Sequence, residues 1–481
     1  MTRHVDVRPG MYRDSVRLMQ VSQALRGVPG VSAALVAMAT PLNLDLAAGM
    51  GFAPPPGAGP NDLVVAVAAE DDGALAAALA RLTAELSEAP AVRGGFSAEA
   101  PPRTVGAAVR RSGAGLVLVS TPGPYAFLDA MDALDAGASV MLFSDNVPVA
   151  QEVRLKEVAA ERGLLVMGPD CGTALVGGVG LGFANVVQPG PVGLVAASGT
   201  GAQQVMCLLD AAGVGVSHCL GVGGRDLSAP VAGRSTLAAL DVLDADEATE
   251  LIVVVAKPPA PSVAATVRDH AAALATPVVL ALLGPGRPDL TAAVGHVLDR
   301  LGVAVPSPWP SWLPSAPPPA RPGGAVRGLF AGGTLCAEAA LIASAAPSAA
   351  GGRAASGGRA ASGGRASMVD LGADELTQGR PHPMIDPTIR LERIAAEAAD
   401  PSCGAILLDV VLGHAADPDP AARLAPAVAG CGVPCVVSLV GTAADPQGLD
   451  RQAAAFVEAG AAVFLSNAEA ARYALRLVGG P

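Results

Sequence analysis

The stretch from Leu164 to Leu227 constrains the fold most strongly, because apolar strand-like segments in it end repeatedly in turns of small residues. These segments read LLVMGPDCGT, VGLVAASGTGAQQV and VSHCLGVGGRDL. In the second of them, Val192 to Ala196 has the pattern of a buried strand, and Ala202 to Ala212 has helical spacing. A strand followed by a turn and a helix is the repeating unit of a parallel sheet covered by helices. The chain is therefore predicted to be an α/β protein.

Length and composition favour several domains of this kind. The 481 residues are 51% hydrophobic and 15% charged, so the chain can bury more than one core. The strand and helix patterns predict a small α+β domain at 1–100, α/β domains at 104–190 and 191–303, a Pro-rich linker at 304–325, and a further α/β domain at 326–481. The tandem GGRAAS tract predicts a flexible insertion at 346–367, since its composition cannot bury a core.

Charge and cysteine usage exclude several functional classes. A net charge of −12 argues against nucleic-acid binding, which needs a basic face. No apolar run is long enough for a membrane span, and the start MTRHVDV lacks a signal pattern, so we expect a cytoplasmic protein. The seven cysteines form no CxxC unit and the six histidines are scattered. We therefore expect neither a disulfide framework nor a metal site.

Two turns that precede predicted helices are candidate anion sites. The first is the Ser198 turn, Ser198 to Gly201, and the second is the Gly332 turn, Gly332 to Thr334. A helix that begins at such a turn points unpaired N–H groups and the positive end of its dipole outward, which suits phosphate or carboxylate. Any βα turn has a similar pattern, so a purely structural role stays open for each turn.

The middle of the chain resembles the α subunit of succinyl-CoA synthetases, and its last third resembles the CoA-ligase domain of the β subunit. MGPDCGT, GLVAASGTG and CLGVGGRDL carry the first resemblance, and AGGTLCAEA, MVDLGADE, AILLDVVLG and PCVVSLVGT carry the second. The resemblance implies a Rossmann-like domain of the CoA-binding type followed by two flavodoxin-like domains of the synthetase type.

A more specific resemblance is to the FdrA proteins, an acyl-CoA-synthetase-like family. RDSVRLMQVS, ATPLN, AKPPAP and GRPHPMIDP carry it. It implies a subunit of oxamate carbamoyltransferase in allantoin breakdown, which converts oxalurate and phosphate to oxamate and carbamoyl phosphate with companion subunits. A subunit of an acyl-CoA ligase and a non-catalytic scaffold stay open as alternatives, and self-association is possible.

Three departures from the synthetase pattern bear on the chemistry. The stretch ALLGPGRPDL contains no histidine where that family carries its phosphorylated one, and Lys257 stands where the supporting glutamate is expected. This sequence also lacks the N-terminal CoA-binding loop and the nucleotide-binding ATP-grasp segment of the synthetases. We therefore expect phosphate or carbamoyl phosphate as a substrate, no covalently bound cofactor, and CoA binding only with help from another chain.

These resemblances and turns define the candidate residues. In the predicted reaction, the charge of Lys257 stabilises the bound phosphate. His382 acts as a general acid, and Asp386 orients its ring. A buried histidine in a Pro-rich loop is the structural alternative. Cys171 and Cys336 have packed-thiol alternatives, and Asp409 and His414 lie at the end of a predicted strand. The predicted phosphate and substrate contacts are Ser198, Gly199, Thr200, Gly201, Asp170, Cys171, Gly223, Gly224, Gly332, Gly333 and Thr334.

Overall fold

A computed structural model describes most of the chain and divides it into two compact units. The described residues are 2–11, 13, 15–53, 57–87, 101–315, 323–346, 359–363, 366–377 and 381–479. The first unit comprises 1–103 with 378–381, and the second comprises 104–377 with 382–481. None of the described helices is both long and apolar enough to cross a membrane.

The first unit has the α+β character predicted for it. Its sheet has the order β1-β3-β2 with antiparallel neighbours, and every residue of the central strand β3 is buried. Leu18 and Leu25 of α1 and Leu82 of α3 pack on this sheet to form the core. The elements are β1 (Thr2–Arg8), α1 (Ser15–Arg26), β2 (Val31–Met38), α2 (Pro41–Gly49), β3 (Leu63–Ala69) and α3 (Asp72–Ser87).

The second unit begins with a short parallel sheet of order β4-β5-β6. Its strands alternate with helices, as the sequence pattern predicted, and apolar residues of α5 and α6 cover them. The elements are α4 (Val105–Ser112), β4 (Leu116–Val119), α5 (Gly123–Asp135), β5 (Ser139–Leu142), α6 (Val149–Glu161) and β6 (Val166–Met167).

A six-stranded sheet of order β12-β11-β9-β10-β7-β8 follows. The first four strands in this order are parallel, while β7 and β8 form an antiparallel edge. The central strands β9 and β11 are buried along their whole length, as expected for a sheet covered on both faces. The elements are β7 (Thr173–Val176), β8 (Val179–Gly182), β9 (Val192–Ala197), α7 (Gly199–Ala211), β10 (Val216–Gly221), α8 (Arg234–Asp244), β11 (Leu251–Ala256), α9 (Pro261–Ala273), β12 (Val278–Leu282) and α10 (Leu290–Leu301).

A seven-stranded sheet of order β13-β19-β18-β17-β14-β16-β15 completes the second unit. It is parallel except at its two edges, where β13 and β15 run antiparallel to their neighbours. The elements are β13 (Ser311–Trp312), β14 (Ala325–Phe330), α11 (Gly333–Ala345), β15 (Arg359–Gly363), β16 (Ala366–Asp370), α12 (Asp374–Thr377), α13 (Thr388–Ala399), β17 (Cys403–Val411), α14 (Pro420–Gly430), β18 (Cys435–Val440), α15 (Leu449–Glu458), β19 (Ala462–Phe464) and α16 (Asn467–Gly479). These parallel layers confirm the predicted α/β class.

Two segments that were expected to be irregular contribute to this sheet. In the predicted linker, Ser311–Trp312 pairs with β19, and Trp309 is buried in the core of the six-stranded sheet. In the predicted insertion, β15 pairs with β16. The backbone of 359–363 therefore pairs as an edge strand where the composition predicted an irregular segment, and the flexibility of the insertion stays a prediction. Residues 316–322, 347–358 and 364–365 of these segments lie outside the described part of the chain.

Candidate functional site

The Ser198 turn connects β9 to α7 as the sequence predicted. Ser198 is the N-cap of α7, with extended backbone angles, and its Oγ accepts a hydrogen bond of 2.9 Å from the N–H of Gly201. A serine in this position satisfies one of the unpaired amides at the start of the helix. Gly199 and Thr200, the first two residues of the helix, are half-buried, so the turn has an opening to solvent.

The Gly332 turn connects β14 to α11, and part of its amide set is already occupied. The N–H groups of Ala331 and Gly332 each donate a hydrogen bond of 2.7 Å to the carboxylate of Asp409, at the carboxyl end of β17. Arg390 lies 3.4 Å from the same carboxylate, and both side chains are buried. Burial raises the pKa of Asp409, while Arg390 opposes the rise. The predicted anion at the amide of Gly332 is thus, in this chain, an internal carboxylate.

The two turns contact each other directly. The hydroxyl of Ser198 donates a hydrogen bond of 2.6 Å to Oγ1 of Thr334, across 136 positions of sequence. A Cβ atom added at Gly332 would lie 2.7 Å from Oγ1 of Thr200, and one added at Gly201 would lie 2.9 Å from Cγ2 of Thr334. Only glycine allows this approach. The positive ends of α7 and α11 therefore meet at one place.

Lys257 and Asp370 lie beside this meeting point. Lys257 follows β11 and is exposed, and a Cβ atom added at Gly333 would lie 2.7 Å from its Nζ. The same added atom would also contact the carboxylate of Asp370, whose other oxygen accepts a hydrogen bond of 3.0 Å from the N–H of Gly372. Among the described residues Lys257 forms no hydrogen bond or ion pair, although its Nζ and the carboxylate of Asp370 lie on the same side of Gly333. Its exposed ammonium group can therefore bind an anion at the solvent side of the two turns, in competition with the carboxylate of Asp370.

A cleft of about 390 Å³ opens next to the Ser198 turn. Its floor is formed by Ala197 and Ala256, which are paired neighbours at the ends of β9 and β11. Gly224 and Lys257, two of the predicted site residues, also line it, together with the loop after Asp226 and the start of α9. The cleft lies at the carboxyl ends of parallel strands, where ligands of α/β proteins bind.

The remaining predicted contacts divide between the edge of this cleft and the core. Asp170 is exposed, and one of its carboxylate oxygens would lie 3.8 Å from a Cβ atom added at Gly224. Cys171 is buried, its Sγ contacts the carbonyl oxygen of Thr173 at 3.5 Å, and burial raises its pKa. Gly223 is buried and packs against the carbonyl of Pro169. These positions favour the packed-thiol reading of Cys171 and a structural role for Gly223.

The predicted pairing of His382 with Asp386 is not formed. Nδ1 of His382 accepts a hydrogen bond of 3.2 Å from the N–H of Met384, while the carboxylate of Asp386 accepts from Thr388 and lies 3.2 Å from Arg423. Burial and the nearby charge of Arg390 lower the pKa of His382 to about 4. The ring is therefore neutral near pH 7, and no carboxylate of the described residues forms a hydrogen bond with it, which disfavours the general-acid role. Arg380, in the same motif, lies outside the described residues.

The side chains of Cys336 and His414 are poorly placed for catalysis. Cys336 is buried, and burial together with the charges of Asp370 and Asp409 raises its pKa, so its thiol is packed and unreactive. The backbone N–H of His414 donates to the carbonyl of Ala184 at 2.8 Å, and the side chain is exposed. Within the described ranges, no group of three or more His, Cys, Asp or Glu residues has an arrangement that suits a metal ion.

Sequence reasoning missed a buried ion cluster that holds the loop beside the cleft. Nζ of Lys156 lies 2.8 Å from Glu152 and 2.7 Å from Asp226, and all three side chains are at most 1% exposed. The other oxygen of Asp226 accepts from the N–H of Thr236 at 2.9 Å, at the start of α8. Glu152 and Lys156 are four positions apart on a helix, a spacing typical of a surface ion pair, so the sequence carried no signal of burial.

Glu338 is a second buried charge that the sequence did not reveal. It lies in α11 and accepts hydrogen bonds from the N–H of Leu290 at 2.6 Å and from Nδ2 of Asn467 at 2.7 Å. Burial raises its pKa to about 7. Leu290 is the first residue of α10 and Asn467 is the first residue of α16. The carboxyl group of Glu338 therefore connects these two helices to α11.

Comparison with known proteins gives a relative of matching length and several that match only part of the chain. The uncharacterized protein YahF of Escherichia coli is 34% identical over 96% of this chain and 95% of its own length. The α subunit 2 of succinate–CoA ligase (ADP-forming) of Archaeoglobus fulgidus is 31% identical over 31% of this chain, which spans about half (52%) of that subunit. The malate–CoA ligase α subunit of Methylorubrum extorquens is 28% identical over 32% of this chain and 53% of its own length.

Family models and solved structures match parts of the chain. Residues 1–102 match the model described as "AllF, heavy metal-associated domain", and residues 329–477 match the CoA-ligase model. The acetyl-coenzyme A synthetase 1 of Ca. Korarchaeum cryptofilum, solved with phosphate and ADP, shares 15% identity at a TM-score of 0.29 and covers 76% of this chain and 84% of its own. The ATP citrate lyase of Methanothrix soehngenii shares 17% identity at a TM-score of 0.32, over 42% of this chain and 37% of its own.

Proposed function

This chain belongs to the same protein family as YahF of Escherichia coli, and from that premise we propose that it is the phosphate-binding subunit of an enzyme that forms or consumes an acyl or carbamoyl phosphate. Its residues 329–477 are a domain of the CoA-ligase type. Phosphate lies on the solvent side of the contact between the two turns, held by the first amides of α7, the hydroxyl of Thr200 and Lys257. The ligase reaction and the transferase reaction both need a phosphate group next to a carbonyl carbon, so this placement suits either one.

The meeting of the two helix ends is the observation that carries the proposal. The Ser198–Thr334 hydrogen bond brings two positive helix poles together, and Lys257 adds a positive charge beside them, next to the carboxylate of Asp370. An amide N–H and an ammonium group that are already in place stabilise an oxyanion without reorganising during the reaction. Asp409 already occupies part of the α11 pole, so the phosphate sits closer to Gly199 and Thr200 than to Gly332.

The specific reaction that we propose is oxamate carbamoyltransfer, in which phosphate cleaves oxalurate into oxamate and carbamoyl phosphate. The absence of a histidine from ALLGPGRPDL supports a route without phosphohistidine, and Lys257 favours an anionic reactant. The leaving nitrogen needs a proton, and His382 is a poor source because burial holds its pKa near 4. In this proposal a companion subunit supplies the acid and completes the site. We place the assembly in the cytoplasm, with phosphate and carbamoyl phosphate as its ligands.

A subunit of an acyl-CoA ligase is the second candidate. The CoA-ligase model at 329–477 and the partial likeness to succinate–CoA ligase α subunits support it. This function needs CoA and nucleotide sites on another chain. Binding of CoA to the purified protein would favour the ligase, whereas carbamoyl phosphate formation from oxalurate and phosphate after addition of the companion subunits would favour the transferase.

Phosphate binding by the purified full-length chain tests the common premise. Titration calorimetry with inorganic phosphate should give a binding isotherm that weakens at least tenfold in Lys257→Met and in Thr200→Ala, since single oxyanion donors contribute about 10²–10³-fold to catalysis at comparable sites. Arg268→Met and Thr266→Ala are matched controls, because both residues are exposed on α9. Unchanged binding in both site variants would refute the proposed site.

A further inference from the structure

We infer that the cleft beside Lys257 holds the organic part of the phosphorylated substrate, and that this part is small and carries no second charge. The inference rests on the proposed function, because it takes the phosphate to lie at the Ser198 turn. Ala197, at the floor of the cleft, is the residue that precedes Ser198. Lys257 lines the same cleft while its Nζ reaches Gly333. Because Lys257 belongs to both places, a molecule with its phosphate beside Lys257 extends into the cleft.

The chemistry of the cleft wall favours an uncharged body. Among the described residues that line it, Lys257 is the single charged side chain and Ser228 the single hydroxyl, and the others are alanine, glycine, leucine and proline. The nearest further cation in sequence is Arg225, but its guanidinium lies 3.0 Å from Glu152 and donates to the carbonyl of Val147 at 2.8 Å. A carboxylate in the cleft would lose water without gaining a second cation, which costs free energy that an amide or methyl group does not incur.

The wall is also held in place before any ligand binds. Ala197 and Ala256 are buried at the ends of two paired strands, and the N–H of Ala260 donates to the carbonyl of Leu227 at 3.0 Å. Pro258 and Pro259 restrict the backbone of the rim. With small side chains on a fixed backbone, the cleft accepts a short acyl or carbamoyl group and discriminates by charge. A carbamoyl group meets this requirement, and the second carboxylate of a dicarboxylic acid does not.

A pair of stable, nearly isosteric phosphonates tests the charge preference. Phosphonoacetamide carries an uncharged amide, and phosphonoacetate carries a carboxylate in the same place. Calorimetric titration of the full-length chain at pH 7.5 should show phosphonoacetamide binding at least tenfold more tightly than phosphonoacetate. Ser228→Arg places a second cation at the cleft and should reduce or reverse this preference.

A bulky substitution in the cleft distinguishes ligand binding in the cleft from phosphate binding at the Ser198 turn. Ala229 is exposed and lines the cleft, so Ala229→Trp should fill it without disturbing the fold. Ala229→Trp should weaken phosphonoacetamide at least tenfold and leave inorganic phosphate within twofold, and Ala229→Ser should change neither. If inorganic phosphate binds but the two phosphonates bind equally, or Ala229→Trp leaves phosphonoacetamide unchanged, the inference is overturned and the proposed function stands. If inorganic phosphate does not bind the unaltered chain, both are overturned.

Discussion

The close approach of the two helix ends predicts that Gly332→Ala destabilises the second unit. The added Cβ atom would lie 2.7 to 2.8 Å from three atoms of Thr200, about 1 Å closer than an ordinary contact. Overpacking of this kind costs about 1–3 kcal/mol. Gly332 has φ near −101°, a value that alanine adopts freely, so the backbone itself adds no strain. Alanine also reduces the freedom of the unfolded chain, which offsets about 0.4–1 kcal/mol of this cost and leaves a net loss of about 1.3 kcal/mol at the middle of the two ranges.

Urea unfolding followed by tryptophan fluorescence measures this loss of unfolding free energy in the second compact unit, where Gly332 lies. The two tryptophans of the chain, Trp309 and Trp312, both belong to the second unit, and Trp309 is 5% exposed. Thr200→Gly removes the three atoms that lie nearest to the new methyl group. The double variant Gly332→Ala/Thr200→Gly should therefore be more stable than the sum of the two single changes predicts, by about 1 kcal/mol or more.

Gly430→Ala is the matched control, because nothing lies within 4 Å of the Cβ position there and the residue is in a helix. This change should leave the free energy of unfolding equal or slightly higher. The reasoning would be refuted by a Gly332→Ala variant that is as stable as the unaltered chain, or by two changes that are simply additive.

Three further predictions concern buried charges and thiols. The pKa of Glu338 is about 7 in the fold and near 4.5 in an unfolded chain, so the folded state retains a proton that the unfolded state loses, and stability should fall by about 3 kcal/mol as pH rises from 4.5 through 7. In urea unfolding at several pH values Glu338→Gln should lack this fall, and parallel curves for the two proteins would contradict the reasoning. Asp409→Asn leaves the buried charge of Arg390 without its counterion and should cost about 3–5 kcal/mol in urea unfolding; a loss below 1 kcal/mol would refute the role of the pair. The Sγ atoms of Cys431 and Cys435 lie 3.1 Å apart, so glutathione disulfide should oxidise them to a disulfide that peptide mapping detects and Cys431→Ser abolishes; recovery of both thiols unmodified would argue against it.

The sequence predicted those parts of the fold that depend on local patterns. The Ser198 turn and the Gly332 turn each follow a buried strand and begin a helix, and both lie where the strand, glycine and helix patterns placed them. Their contact was not predictable, because it depends on how two sheets from distant segments pack. Asp409 is a related case: it was recognised at a strand end, but its hydrogen bonds to the Gly332 turn depend on β17 lying next to β14.

The charged residues show where local reasoning fails. His382 and Asp386 are four positions apart in a Pro-rich loop, so the sequence was compatible with a catalytic pair as well as with a buried structural histidine. In the structure the N–H groups of Ile385 and Asp386 both donate to the carbonyl of His382, and the resulting turn directs the carboxylate toward Thr388. Proximity in sequence therefore did not determine which groups meet.

The hydrogen bond from Ser198 to Thr334 has a consequence for how this chain can evolve. Its two ends are encoded 136 codons apart, on either side of a proline-rich region. A gene split within that region would yield two polypeptides, and neither alone would contain the contact between the two turns. Selection on this contact therefore acts on both coding segments together, and a change in one turn should be tolerated only with a matching change in the other.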